Sequence, residues 1–355
     1  MILVTGGAGF VGSHVVDLLV QEGHEVRVLD LLLDTAHVRR PDYLNPQAEF
    51  VPGDVADPDV VREALRGVEV ICHQAAMVGL GVDMLDIETY VRHNDLATAV
   101  LLRQLAQAHF RGRLVLASSM VVYGEGGYRC ADHGDVTPLP RARADLEAGR
   151  FTPRCPTCHG DLSAIAVTET AAPDPRNVYA ATKLHQEHLC FAFGRETGVP
   201  ITALRYHNVY GPRMPRDTPY AGVAAIFASA MASGRPARVF EDGGQLRDFV
   251  HVRDVARANV LGLTGPEPCP GVFNVASGTP RTVGELAQAL ADAWGRAGPR
   301  PVVTGDFRLG DVRHVFASVR RAEQGLGFQA REEFQRGMEE FARAPLRDTR
   351  AAATA

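Results

Sequence analysis

The chain opens on an apolar run, ILVTG (2–6). The same kind of run returns as EVRVLD (25–30), EFVPGD (49–54), VEVICHQA (68–75), RLVLASS (113–119) and ITALRYHNV (201–209). Each is short, rich in β-branched residues and bounded by turn formers, the pattern of a strand buried on both faces. Between them, apolar residues recur at helical spacing over 10–22, 58–66, 89–109 and 178–196. Strand, helix, strand at this spacing implies right-handed crossovers, so the pattern predicts an α/β fold with a doubly wound parallel Rossmann sheet over 1–209. Beyond it, helical patterns at 220–234, 253–264, 282–295 and 332–344 alternate with short strands such as ARVFED and VFNVAS. They predict a smaller C-terminal substrate lobe over 210–345, partly interleaved with the first unit, and a frayed tail at 346–355. Residues 125–175 break the rhythm with little periodicity and several prolines, which marks an insertion. There is no fixed-period repeat.

The turn after the first strand reads TGGAGFVGSH (5–14), with Gly6, Gly9 and Gly12 at three-residue spacing and Gly7, Gly9 and Gly12 at G-x-G-x-x-G spacing. Glycines there allow a tight turn, close approach to a pyrophosphate and helix-on-strand packing, and the helix N-terminus faces the negative charge. Asp30 closes the second strand, where a carboxylate takes the ribose hydroxyls of adenosine. Leu31 follows it, so a 2′-phosphate would meet a carboxylate and no cation, and NAD is expected over NADP. Asp34 is a rival for the ribose, and Asp54 either caps the adenine amino group or forms a turn before Val55. Further on, NVYAATKLHQEHL (177–189) sets Tyr179 and Lys183 at i and i+4 on one helix face. An ammonium near a phenol stabilises phenolate and lowers its pKa, which suits a tyrosine that exchanges a hydroxyl proton.

Length and composition add limits. With 355 residues, 46% hydrophobic and 22% charged, the chain has material for a sizeable core. A net charge of −5 gives no electrostatic reason to expect nucleic acid or an anionic membrane as partner. The first apolar run stops at Gly6, too short for a signal peptide or a membrane span, so a cytoplasmic protein is expected. Six cysteines in such a chain favour metal binding over a disulfide framework.

In order, GGAGFVG, Asp30, HQAA (73–76), Asn94, SSMVVYG (118–124), YAATK, RYHNVYGPR (205–213), GGQLRDFVHVRD (243–254) and GDVRH (310–314) resemble the extended short-chain dehydrogenase/reductase family, nucleotide-sugar epimerase/dehydratase branch. The resemblance covers about 1–345 outside the insertion. It implies Tyr179 as acid/base, Lys183 on the nicotinamide ribose and Ser119 on the reacting sugar oxygen. It extends the NAD contacts to Phe10, Val11, Val55, Ala75, Ala76, Asn94, Tyr206 and Val209. It sets Val78 and Met120 against the sugar, and Asn208, Arg247 and Arg313 on the nucleotide diphosphate. Arginine forks match phosphate oxygens, although Arg247 also has Asp248 and Asp254 nearby as salt-bridge partners. His207 stands where relatives most often carry an aromatic and is expected to pack locally. A homodimer through the helices near 89–109 and 178–196 is implied as well.

Dehydrating members carry an Asp-Glu pair directly after the catalytic Ser/Thr, and decarboxylating ones usually a Glu. Here Met120 and Val121 can exchange no proton. Oxidation of one carbinol and its re-reduction survive, which with tightly held NAD is 4-epimerisation. The small apolar Met77, Val78 and Gly79 suit a deoxy sugar. UDP-glucose or UDP-glucuronate 4-epimerisation, reduction of a nucleotide 4-ketosugar, and NAD binding by a non-catalytic sensor are the alternatives.

The insertion carries Cys130-x2-His133 and Cys155-x2-Cys158, two knuckles about twenty residues apart, flanked by Gly134 and Gly160. This set can supply four tetrahedral N/S ligands, and a structural zinc ribbon is expected, the alternative being a cysteine-bearing loop without metal. His159 is the spare candidate ligand. Cys72 and Cys190 are expected in the core. The insertion resembles one found in bacterial epimerases acting on dTDP-L-rhamnose and related 6-deoxy sugars.

Overall fold

A computed structural model describes residues 1–34, 36–79, 84–216, 222–295 and 298–348. Seven strands form one parallel sheet: β1 (Ile2–Thr5), β2 (Val26–Asp30), β3 (Glu49–Pro52), β4 (Val70–His73), β5 (Arg113–Ser119), β6 (Ile201–Tyr206) and β7 (Gly271–Val275). Their order across the sheet is 3-2-1-4-5-6-7, so direction reverses between β1 and β4, the place where doubly wound sheets bind ligands at their strand ends. The alternation along each strand feeds two cores. Ile2, Val4, Val26, Val28 and Val115 face one side with Val15, Val16 and Leu19 of helix Phe10–Gln21 and Val255 of helix Val252–Thr264. Leu3, Leu29, Leu114 and Leu116 face the other with Leu101 and Leu105 of helix Ala97–Gln107. Cys72 and Cys190 are buried, one in each core.

Three features depart from the sequence pattern. The run ITALRYHNV divides at His207: Ile201–Tyr206 stays in the main sheet, while Asn208–Tyr210 pairs with Leu246–His251 in a second sheet that Pro280–Thr282 completes. The strand within VFNVAS is β7, at the edge of the main sheet beside β6. The insertion, read as aperiodic, forms a three-stranded antiparallel sheet from Gly127–Cys130, Gly134–Val136 and Ser163–Ile165. Such short strands carry too few residues to show a period of two. Residues 220–221 of the helix expected at 220–234, and the tail from 349 onward, lie outside the described residues. Among the described residues no helix is long and apolar enough to cross a membrane.

Candidate active site

A cleft of about 1200 Å³ runs along the strand ends. At one end Gly6 takes φ +68°, and a Cβ on it would meet the Ala75 amide nitrogen at 2.6 Å. A Cβ on Gly12 would fall 2.2 Å from the Gly6 carbonyl oxygen. The loop therefore closes against the end of β4, and the helix start against the strand end, only because these side chains are missing. Gly9 caps helix Phe10–Gln21 with no side-chain bond and no acid in the first turn, which leaves the positive helix end open to an anion. Asp30 accepts the amides of Ala8 (2.9 Å) and Leu32 (2.8 Å), and burial raises its pKa. Backbone donors beside a strand-end carboxylate fit a dinucleotide. Phe10, Val11, Val55, Ala75, Ala76, Tyr206 and Val209 line the same cleft. Asp54 lines it too, but its oxygens are held by the Ala56 amide (2.8 Å) and Arg92 (2.9 Å), a turn and an ion pair.

Asn177 caps the helix Val178–Thr197 by accepting from the Ala180 amide (2.8 Å), which sets Tyr179 in the first turn; Gly198, in the left-handed region, ends it. Tyr179 lies beside Ser119, the last residue of β5, whose hydroxyl lowers the phenol pKa less than burial raises it, so the net value is pushed up to about 12. This reverses the expected lowering by Lys183. That lysine is buried, its pKa is held down to about 8 by burial, and its Nζ donates to Gln186 Oε1 at 2.7 Å. Beside Ser119, Met120 and Val121 both line the cleft, as do Val78, Val312 and Val315. His207 is buried at the cleft wall, with burial bringing its pKa down to about 4, so its ring is neutral near pH 7.

Two residues assigned to ligands lie off the cleft. Asn94 is fully buried, and its amide bridges Met77 N (2.7 Å), Met77 O (3.0 Å) and Thr182 Oγ1 (2.9 Å); it fastens the loop after β4 to the Tyr179 helix. Arg313 is buried and taken up by Asp242 (2.7 and 2.8 Å) and Glu241 (2.7 Å), which leaves it no place on a substrate diphosphate. Arg247 is the contrary case. Its three bonds go to the carbonyls of Leu246 (2.8 Å), Arg313 (3.0 Å) and Val312 (2.7 Å). Asp248 is occupied by Ser277 and Gly278, and Asp254 by Arg257, Arg331 and Glu332. Arg247 thus lines the cleft with no carboxylate in ion-pair contact among the described residues, and Asn208 lines it with a side-chain oxygen that has no hydrogen-bond partner there. Arg308 and Phe240, both missed in the sequence, line this end, with the guanidinium 5.2 Å from the ring centroid. No local signal separates Arg308 from Arg313, because the choice is made by Asp242, 71 residues from Arg313.

In the insertion, the ligand atoms of Cys130, His133, Cys155 and Cys158 all lie within 4.8 Å of one another. Cys130 Sγ is 3.4 Å from His133 Nδ1 and 3.6 Å from Cys158 Sγ, and Cys155 Sγ is 3.7 Å from His133 Nδ1. His159 is exposed and outside this group.

A dinucleotide cradle at the switch point of a parallel sheet, continuous with a Tyr-Lys helix and a basic end, is the architecture of a nucleotide-dependent enzyme. Residues 2–145 and 157–276 match the model of the NAD dependent epimerase/dehydratase family, and the chain belongs to that family. It is 33% identical over 353 residues to the dTDP-L-rhamnose 4-epimerase of Burkholderia thailandensis, across 96% of this chain and 93% of that protein. The structure of the Thermotoga maritima UDP-glucose 4-epimerase with UDP-glucose superposes with a TM-score of 0.77 at 30% identity, across 96% of this chain and 97% of that one. The Thermus thermophilus UDP-glucose 4-epimerase complexed with NAD gives 0.74 at 32%, with the same coverage.

Proposed function

We propose that the chain is an NAD-dependent nucleotide-sugar 4-epimerase and that its sugar nucleotide is dTDP-L-rhamnose. The observation that carries the reaction type is the cleft wall at Ser119: Tyr179 and Ser119 line it together, while Met120 and Val121 line the same cleft without a group that can exchange a proton. Elimination of water needs a second acid and base there; epimerisation does not. Gly6, Gly9, Gly12 and Asp30 would hold NAD, which would supply the hydride acceptor and donor for the sugar C4. Tyr179 must be phenolate to take the C4 hydroxyl proton, which it later returns; the positive charges of Lys183 and of bound NAD would favour that form against burial. Ser119 holds the same oxygen, and Lys183 holds the ribose beside it. Arg247, Asn208 and Arg308 keep the diphosphate in place while the 4-keto sugar turns its other face, and Phe240 offers a ring to the base.

The choice of sugar rests on the apolar wall. Val78, Met120, Val121, Val312 and Val315 suit the methyl group of a 6-deoxyhexose better than a hydroxymethyl or a carboxylate. Arg176 also lines the cleft, but it is committed to Asp174 at 2.7 Å, which speaks against a uronic acid. The relative acting on dTDP-L-rhamnose points the same way.

The Cys130–His133–Cys155–Cys158 group holds a structural zinc, making the insertion a zinc ribbon. Bonds of about 2.3 Å to sulfur and 2.0 Å to nitrogen in a tetrahedron give ligand separations of about 3.5–3.8 Å, close to three of the separations here, 3.4, 3.6 and 3.7 Å. The protein works in the cytoplasm as a homodimer through the helices at 87–107 and 178–197, where Ile87, Val91 and Leu96 are exposed.

The test offers purified protein dTDP-L-rhamnose, UDP-glucose and UDP-glucuronate in separate tubes without added reductant, and follows C4 stereochemistry by proton NMR. The C4 epimer from dTDP-L-rhamnose is expected. An epimer only from a UDP sugar overturns the sugar assignment. NADH and a 4-keto sugar accumulating without any epimer overturn the reaction.

A further inference from the structure

The insertion is joined to the loops that frame the nucleotide end of the cleft. Arg141, with a side chain only 5% exposed, donates from Nη1 to Glu241 Oε1 (2.7 Å) and the Phe151 carbonyl (3.2 Å), and from Nη2 to the Asp311 carbonyl (2.7 Å). The other oxygen of Glu241 takes Arg313, which Asp242 grips from its far side. Charge therefore alternates through Arg141, Glu241, Arg313 and Asp242. This network spans the insertion, the loop after Phe240 and the segment after Arg308. A second contact repeats the link. The Tyr128 hydroxyl accepts the His314 amide (3.0 Å) and donates to Glu125 (3.1 Å), whose same oxygen accepts the Arg313 amide (3.2 Å). The surfaces meet so closely that a Cβ on Gly126 would lie 2.3 Å from the His314 carbonyl oxygen.

Arg141 itself is not among the residues lining the cleft, whereas Asp311, Phe240, Arg308 and Arg247 are. Arg247 is held by carbonyls of the very segment that Arg141 fixes. We infer that Arg141 is a positioning residue for nucleotide-diphosphate binding: the insertion reaches through it to set the Asp311 segment and the Phe240 loop at the distance a nucleoside diphosphate requires. This rests on the nucleotide-sugar reading above. A buried guanidinium with two fixed acceptors in different loops is suited to the task, since its planar fork fixes direction as well as charge.

The experiment measures dTDP and UDP binding by calorimetry, which needs no turnover, together with kcat and KM. Losing bonds to a charged group at this position is expected to raise the Kd and KM of Arg141→Met about tenfold, with kcat within about twofold. Arg141→Lys is expected to recover part of the loss, because an ammonium can meet Glu241 without holding the Asp311 carbonyl as well. Tyr128→Phe, which removes only the second link, is expected to shift Kd the same way by a smaller factor. Should Arg141→Met not fold, wild-type affinity in both Arg141→Lys and Tyr128→Phe would overturn the inference; so would a folded Arg141→Met that loses kcat and keeps its Kd. A wild-type protein that binds neither nucleotide would remove the nucleotide-sugar reading, and the inference with it.

Discussion

Ser118 donates a 2.5 Å hydrogen bond to Glu187, and this bond fastens the strand that ends in Ser119 to the helix that carries Tyr179 and Lys183. The same carboxylate receives Arg205 from β6 by two bonds, at 2.9 and 2.7 Å. Arg205 lies over the Tyr123 ring at 4.7 Å. All three partners are buried, so the pair holds two strands and a helix in register beneath the catalytic groups.

Replacing Glu187 by Gln leaves the Arg205 charge uncompensated in the interior. The expected cost is about 3–5 kcal/mol of stability, read by urea unfolding. Ser118→Ala removes one bond and leaves the ion pair, so about 1 kcal/mol is expected. In Glu187→Gln, kcat should fall ten- to a hundredfold, since small displacements of Ser119 against Tyr179 weigh heavily on the reaction. Equal and small losses in both variants would mean the carboxylate is not what sets the geometry.

Tyr179→Phe keeps the ring and removes the phenol hydroxyl beside Ser119. A loss of kcat of at least about 10²–10⁴ is expected, while dTDP affinity stays within a few fold, because the diphosphate end of the cleft is untouched. Retention of wild-type turnover would remove Tyr179 from the chemistry.

The Tyr179 helix also shows where the sequence is legible. Tyr179 and Lys183 are four residues apart on one helix, so their shared face follows from helix geometry. The glycine turn and Asp30 are likewise fixed by local connection, each to its own strand end, β1 and β2. Arg313 is different. The sequence offers arginines at 308, 247 and 313, and only the folded positions of Glu241 and Asp242 decide which guanidinium is neutralised. Asn94 is misread for the same reason, since its partners Met77 and Thr182 come from separate elements. The direction of the Tyr179 shift is also out of reach of the sequence, because desolvation, a property of the packed site, raises the phenol pKa more than Ser119 lowers it, and Lys183 is not among the groups that move it.

Lys183 gives stability a pH dependence. Burial lowers its pKa from 10.5 to about 8 in the folded chain. Below about pH 8 both folded and unfolded forms hold the proton, and the full burial cost remains. Between about 8 and 10.5 the unfolded chain binds the proton more than the folded one, so folding free energy from this group improves as pH rises. Relative to Lys183→Met, the wild type should gain on the order of 3 kcal/mol across that window. Urea titrations of both proteins between pH 7 and 10.5 test this, and a difference that stays flat across the window would refute it.

The metal proposal separates structure from catalysis. Cys155 is fully buried beside Tyr128 and Leu162, so a zinc at its sulfur would tie the two knuckles to the small sheet. Dialysed protein is expected to contain one zinc per chain, and cobalt in its place should show the visible absorption of a tetrahedral thiolate site. Cys155→Ser should lose the metal and unfold several degrees lower. His159→Ala, which alters only the exposed neighbour, should keep both metal and melting temperature. Because the insertion reaches the cleft through Tyr128 and Arg141, neither of which lines the cleft, loss of zinc should raise the KM for the sugar nucleotide before it lowers kcat. Metal-free protein after dialysis, together with a Cys155→Ser variant as stable as wild type, would leave the four side chains as three free thiols beside an imidazole, with no ion to organise.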